Sequence, residues 1–240
     1  MTEPVTYELQ GPVAFIAMDD GKVNALSIAM LRSIHAAFDQ AERDQAVVVL
    51  SGRENYFSAG FDLKVFAGGG NQLLEMLTLG AKLSERILCF PRPVVTACTG
   101  HAVAAGAFPL LSADLRIGVD GPFQIGLNEV KIGLTVPWFA IELARHRLHP
   151  AHFDRIVVNA TMYSPRDAVN PGFLDRVIPA EEMRSASLQA ATQLAELNTT
   201  AHAATKLRAR ASALSALRSA IETELTVENL GVAQAPEHRV

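Results

Sequence analysis

Cysteine is scarce in this chain, with only Cys89 and Cys98 among 240 residues. They form no CxxC, and no histidine cluster accompanies them. That argues against a disulfide framework or a thiolate metal site; both read as buried, inert thiols suited to a reducing cytoplasm. An excess of positive charge is also missing. The net charge is −4, and Lys and Arg are scattered apart from Lys206, Arg208 and Arg210, so no electrostatic footprint for nucleic acid is present. The N-terminal stretch MTEPVTYELQ has neither a basic n-region nor an apolar h-region, so no signal peptide is expected. Residues 93–113 carry no Asp, Glu, Lys or Arg and are long enough to span a bilayer. However, Pro93, Gly100, His101, Gly106, Pro109 and Ser112 interrupt them, and a buried strand, a turn and a short helix fit better than a membrane span.

Several chemical signatures are missing as well. There is no GxGxxG, no GxxxxGK[ST] and no GxSxG elbow. His146, His149 and His152 stand at i, i+3 and i+6, which spreads them around a helix as surface or cap residues rather than zinc ligands. Gly68, Gly69 and Gly70 read as a flexible turn.

What is present is a globular composition, 49 % hydrophobic and 19 % charged, of a length that suits one large domain or a core with a small appendage. Residues 5–9 and 13–18 flank Gln10-Gly11-Pro12 as a hairpin. Ser27 caps a helix whose apolar face carries Leu31, Ile34, Phe38 and Ala41. Residues 46–50, 93–98 and 115–119 are buried strands, and a helix spans about 71–88. This alternation predicts an α/β domain with mostly parallel pairing. Residues 181–197 are helical, and 201–227 place Leu207, Ala211, Leu214, Leu217, Ile221 and Leu225 on one face of a further helix.

Glu129 stands in GPFQIGLNEVKIGL, where Lys131 is the only other charged residue. Taken alone it reads as a turn glutamate or half of an ion pair with Lys131. A carboxylate in apolar surroundings can instead be basic enough to move protons near neutral pH. Two other segments offer it partners. NYFSAGFDLK, at 55–64, puts small residues after a strand, where a ligand can approach backbone N–H groups. TGHAVAAGAFP, at 99–109, leads a strand into a short helix whose first N–H groups are free donors. Each segment by itself could be a capped turn or close packing on small residues. Two donor clusters and one carboxylate together suit proton transfer beside a carbonyl, with an oxyanion held while the α-proton is removed.

From residue 13 to 179 the chain resembles the crotonase (enoyl-CoA hydratase/isomerase) superfamily. The resemblance rests on Lys22-Val23-Asn24-Ala25-Leu26, Phe57-Ser58-Ala59-Gly60-Phe61-Asp62-Leu63, Pro93-Val94-Val95, Gly100-His101-Ala102, Ser112-Ala113-Asp114, Asn128-Glu129-Val130-Lys131-Ile132-Gly133-Leu134 and AVNPGFLDRV at 168–177, in this order and spacing. It implies an α/β spiral of ββα turns over residues 1–195, a C-terminal helical region over 196–240, and homotrimers or hexamers. The implied partner is an acyl-CoA thioester, with coenzyme A part of the substrate and no separate cofactor or metal. Carried over by position, the oxyanion donors are the N–H groups of Ala59 and Ala105. Substrate lies along Lys22, Ala25, Ser58, Gly60, Phe61, Asp62 and Leu63, with Lys64 a candidate for a phosphate and Phe108 beside the reacting carbons.

The match departs from the family's hydratases. Those resemble one another in using two glutamates, and the earlier one is replaced here by Phe108, while the glycine triplet before it reads Ala104-Ala105-Gly106. The segment IGLNEVKIGLTVPWF looks more like the mitochondrial-type Δ3-Δ2-enoyl-CoA isomerases, whose double-bond shift needs a single base. A hydratase with a recruited second group, or a non-catalytic acyl-CoA binder, are the alternatives. Phe66, Leu73, Met76, Leu77, Trp138 and Phe139 are candidates to line an acyl pocket. Lys206 matches a lysine often found in the helical region, and the family's tail of a phenylalanine and a Lys-Arg pair is not recognisable in 223–240.

Overall fold

The computed structural model describes residues 3–226, 228 and 229. In chain order the elements are β1 (Val5–Gln10), β2 (Val13–Met18), β3 (Ala25–Leu26), α1 (Ile28–Arg43), β4 (Val47–Ser51), β5 (Asn55–Ser58), β6 (Gly60–Phe61), α2 (Leu63–Gly68), α3 (Gly70–Cys89), β7 (Val94–Cys98), β8 (Gly100–Val103), α4 (Phe108–Ser112), β9 (Leu115–Val119) and β10 (Ile125–Gly126). They continue with α5 (Trp138–Arg147), α6 (Pro150–Val157), β11 (Arg176–Ile178), α7 (Met183–Ala195), α8 (Thr199–Ala209) and α9 (Ala211–Glu224).

A six-stranded sheet runs β1-β2-β4-β7-β9-β11, antiparallel between β1 and β2 and parallel thereafter. Its central strands are apolar on both faces, as a covered parallel sheet requires. Ala14, Ile16, Val48, Leu50, Val94 and Cys98 join the core shared with α1, α3, α4, α5 and α9. The alternate residues Val13, Phe15, Val47, Val49, Val95, Ala97, Ile117 and Val119 pack on the opposite face with Met183, Ala190 and Ala191 of α7. Three times a strand of this sheet is followed directly by a strand of a second, smaller sheet, giving β4–β5, β7–β8 and β9–β10. Helices α2 and α3 follow the first of these pairs and α4 the second, while α5 comes after the third. This is the spiral of ββα turns expected from the resemblance.

The local reasons match the sequence. Ser27 accepts from the Met30 N–H at 3.2 Å and starts α1, which buries Leu31, Ile34, Phe38 and Ala41. His149 caps α6 through Nδ1. No helix among the described residues is long and apolar enough to cross a membrane. Two differences stand out. A short helix, α2, precedes the glycine run, started by the Asp62 carboxylate on the Lys64 N–H at 2.9 Å. The single helix expected over 201–227 is broken at Arg210 into α8 and α9, so Leu207 faces solvent while Leu214, Leu217 and Ile221 are buried. An apolar stripe cannot reveal such a break, because a tertiary contact of Arg210 decides it. Its guanidinium reaches the carbonyls of Leu88 and Ser112 and the Asp114 carboxylate.

Candidate active site

The small sheet brings the three candidate segments together. Its strands β5, β8 and β10 are all parallel, with Ser58, Ala102 and Ile125 in register. Each strand therefore points its C-terminal end the same way. From those ends run Ala59–Phe61, Ala104–Ala105 and Leu127–Glu129. Loops beyond the carboxyl ends of parallel strands are where α/β sheets gather ligands.

Close backbone contact holds the first two segments side by side. A Cβ on Gly106 would lie 2.2 Å from the Ser58 carbonyl oxygen, so only glycine fits there. A Cβ on Gly60, which has φ +92°, would meet the Ala105 nitrogen at 3.2 Å. Ala105 is buried in the 3₁₀ turn Ala104–Ala107. Its neighbour Ala104 holds φ +52°, a left-handed conformation that is strained for a residue with a Cβ. Ala104→Gly is therefore expected to stabilise the protein by about 0.5–1 kcal/mol, the relief of strain less the extra freedom of the unfolded chain. Thermal unfolding would check this.

Asn24 organises the loop on the other side. It is fully buried at φ +52°, and its Nδ2 donates to the carbonyls of Met18 (2.9 Å), Tyr56 (3.2 Å) and Phe57 (3.2 Å). The Asp20 carboxylate accepts from the N–H groups of Lys22, Asn24 and Ala25. Sequence reasoning assigned no role to Asn24 or Asp20. The available signal was the Asp-Asp-Gly turn followed by an Asn, a residue type suited to positive φ.

This latch corrects two sequence-based assignments. The Ala59 N–H donates to the Val23 carbonyl at 3.0 Å, so it is not a free oxyanion donor. Ser58 is fully buried, and its hydroxyl donates to the Asn24 carbonyl at 2.7 Å rather than facing a ligand. Lys22, Leu63 and Lys64 are exposed at the surface, Ala25 and Asp62 are half-buried, and Asp62 caps α2.

Glu129 is 5 % exposed. It stands immediately before the 3₁₀ turn Val130–Ile132, and among the described residues no ion pair joins it to Lys131, which points to solvent. Among the described residues its buried Oε2 has no hydrogen-bond partner, nor has Oδ1 of the adjacent Asn128. Burial pushes the Glu129 carboxyl up to about 7, opposed only by its own backbone N–H. A buried carboxylate left unpaired costs stability, and such an arrangement is characteristic of groups kept for chemistry.

Phe66, Phe61, Phe108 and Phe139 form a chain of neighbouring aromatic rings. Phe108, 2 % exposed, meets Phe139 edge-on at 5.5 Å and Phe61 at 6.2 Å, and Phe61 also lies 6.2 Å from Phe66. Gly80 of α3 makes room for the Phe61 ring, since a Cβ there would lie 2.5 Å from it. Of the other pocket candidates, Leu73, Met76 and Leu77 are buried in the core, whereas Trp138 is 58 % exposed.

Lys206 is not directed at a ligand. It is buried, with Nζ 2.6 Å from Asp114 Oδ2 and 3.4 Å from the Arg92 carbonyl. Burial outweighs the attraction of Asp114 and lowers its pKa. Most of the tail considered for closing the site, residues 230–240, lies outside the described residues.

Known proteins resemble this chain in sequence and fold. A family model described as enoyl-CoA hydratase/isomerase matches residues 8–236. The crystal structure of an enoyl-CoA hydratase/isomerase family protein from Pseudomonas syringae superposes with a TM-score of 0.91 at 46 % identity, covering 92 % of this chain and 96 % of that one. The apo structure of a Mycobacterium tuberculosis protein described as an enoyl-CoA isomerase, and in a second structure as a probable enoyl-CoA hydratase, gives 0.89 at 42 % identity, covering 92 % and 97 %. The human mitochondrial enoyl-CoA delta isomerase 1 is 28 % identical over 216 residues, which are 85 % of this chain and 70 % of that protein. By its fold, its matched length and these relatives, the chain belongs to the crotonase superfamily of enoyl-CoA hydratases and isomerases.

Proposed function

We propose that this enzyme moves the double bond of a β,γ-enoyl-CoA to the α,β position, with Glu129 as its single acid/base. The observation that carries the reading is a buried carboxylate at Glu129, whose Oε2 has no hydrogen-bond partner among the described residues, together with an aromatic residue, Phe108, at the position matching the second glutamate of hydratases. In the forward direction the Glu129 carboxylate takes the α-proton, and the electron pair spreads over a dienolate whose negative oxygen is held by backbone N–H groups. The same carboxyl then returns the proton to the γ-carbon, leaving a conjugated thioester and a regenerated carboxylate. No water enters the balance.

Ala105 supplies one oxyanion donor. The second is assigned to Phe61 rather than Ala59, because the Ala59 N–H is bonded to Val23 and the Gly60 N–H lies 3.2 Å from Ser58 Oγ, and Phe61 is the next residue of the same segment. Coenzyme A belongs to the substrate, and the exposed Lys22 and Lys64 are available to its phosphates. The family resemblance extends this reading to a homotrimer or hexamer working in the cytoplasm.

One observation favours hydration instead. Asn128 Oδ1 is a second buried acceptor without a partner, and a water could donate to it and to Glu129. Ultraviolet absorbance separates the two. With a β,γ-enoyl-CoA, isomerisation makes absorbance of the conjugated thioester appear; with an α,β-enoyl-CoA, hydration makes it disappear. The isomerase reading expects the first at a rate at least about 100-fold above the second, the scale of one missing acid/base group. Comparable rates would establish the hydratase, and no change with either substrate would leave a non-catalytic acyl-CoA binder.

A further inference from the structure

Glu224 is the last residue of α9, where a negative charge opposes the dipole of its own helix. Its Oε2 instead accepts the backbone N–H of Trp138 at 2.7 Å. Trp138 is the first residue of α5, whose own N-cap is Pro137 and offers no side-chain acceptor. A carboxylate there satisfies one of the orphan donors of α5 and complements its dipole. Helices α5 and α9 also pack along each other, with Leu143 and Ala144 in the same core as Leu217 and Ile221.

The start of α5 is also where the Glu129 loop ends. Only residues 130–137 separate the carboxylate from the helix, and most of them are exposed or half-buried: Val130 and Ile132 face solvent, and Val136 alone is in the core. The loop holds itself by local bonds, with Leu134 N–H donating to the Glu129 carbonyl at 2.9 Å. Its downstream anchors are Val136 in the core and the first turn of α5. The residue after Trp138 is Phe139, whose ring meets Phe108 at 5.5 Å. One helix start fixes both the end of the loop and the aromatic wall.

We propose that Glu224 is a positioning residue for Glu129: the C-terminal helix of the same chain caps α5 and thereby keeps the Glu129 loop closed over its carboxylate. The proposal rests on Glu129 being the acid/base. Its distinguishing consequence is hydration of the Glu129 carboxyl. Burial alone raises that carboxyl, with no charged neighbour contributing. A loop released from its anchor admits water, and the carboxyl then titrates closer to the ordinary range near about 4.3.

The test compares Glu224→Ala, which removes the acceptor, with Glu224→Gln, which keeps an acceptor oxygen. Carboxyl ¹³C NMR follows the titration of Glu129, identified as the signal missing from each variant's Glu129→Gln counterpart. This readout is independent of which reaction the enzyme performs. Glu224→Ala is expected to lower the Glu129 midpoint by a unit or more and to reduce turnover roughly tenfold through misplacement of the base, with KM little changed. Glu224→Gln is expected to restore both. Should Glu224→Ala fail to fold, Glu224→Asp withdraws the carboxylate by one methylene and should give the same shift. An unchanged Glu129 midpoint with a lowered melting temperature would overturn the proposal and leave Glu224 a purely structural cap. Loss of the restoration by glutamine would overturn it too. A shifted midpoint without any isomerase activity would uphold the positioning role and reject the reaction instead.

Discussion

Glu129→Gln is expected to lose about 10²–10⁴-fold of its double-bond shift, the contribution of a positioned acid/base group, while still binding acyl-CoA. Glutamine keeps the shape and removes the base. A variant with full turnover would end the assignment. The pH dependence carries the same signature. Glu129 acts as a base only when ionised, so with its carboxyl near 7 the wild-type kcat/KM should fall as pH drops below about 7. An ordinary carboxylate would place that fall more than two units lower.

The same variant should be more stable than the wild type at high pH. Between about pH 4.3 and 7 the unfolded chain releases the Glu129 proton while the folded chain keeps it. Stability therefore falls as pH rises through that window, and above pH 7 the full cost of burying the charge is present. Glu129→Gln removes this cost. The gain should approach an upper bound of about 3 kcal/mol at pH 8 and vanish by pH 4, as seen by denaturant unfolding at the two pH values. A stability difference that does not vary with pH would mean that Glu129 is hydrated in the folded protein.

The second large effect concerns the anchor of the C-terminal helices. Asp114 holds two cations at once, Lys206 at 2.6 Å and Arg210 at 2.9 Å, and also accepts the Val94 N–H at 2.7 Å. Lys206 is 6 % exposed. Asp114→Ala leaves a buried ammonium and a half-buried guanidinium without their counter-charge, and a strand N–H without its acceptor. Breaking one member of such a buried network costs about 3–5 kcal/mol, more than the network adds over an apolar replacement. For a chain of this size that is a melting temperature lowered by roughly 6–20 °C. Lys206→Met should cost much less, since its stem volume is kept and Asp114 retains Arg210. Calorimetry on the two variants checks the order. If Lys206→Met were the more damaging of the two, Arg210 alone would not suffice for Asp114, and the Lys206 ammonium would be its principal counter-charge.

Much of this was legible in the sequence because it depends on short-range pattern. The continuous apolar runs around Val47–Val49 and Val94–Val95 indicated covered parallel strands, and the Ser27 cap with Leu31, Ile34 and Phe38 indicated the first helix. The order and spacing of the seven matched pieces between Lys22 and Val177 carried the family. Glu129 stood out because an apolar segment rarely keeps a carboxylate without a reason.

Other features came only from contacts between distant parts of the chain. Which N–H in 59–61 is free depends on Val23, about thirty-five residues earlier, since its carbonyl takes the Ala59 donor. Ser58 looked like a ligand-facing hydroxyl until Asn24 engaged it. Lys206 matched a family lysine by position, and only the fold shows that Asp114, ninety-two residues earlier, takes its charge. The sequence by itself determined an α/β domain with one candidate base and no second carboxylate at Phe108, since element alternation and residue identity are local properties, and the family resemblance implied the spiral. Only the tertiary structure decided how dry that base is, which backbone donors remain open and what anchors its loop, because burial and hydrogen-bond pairing are set by whatever the fold brings alongside.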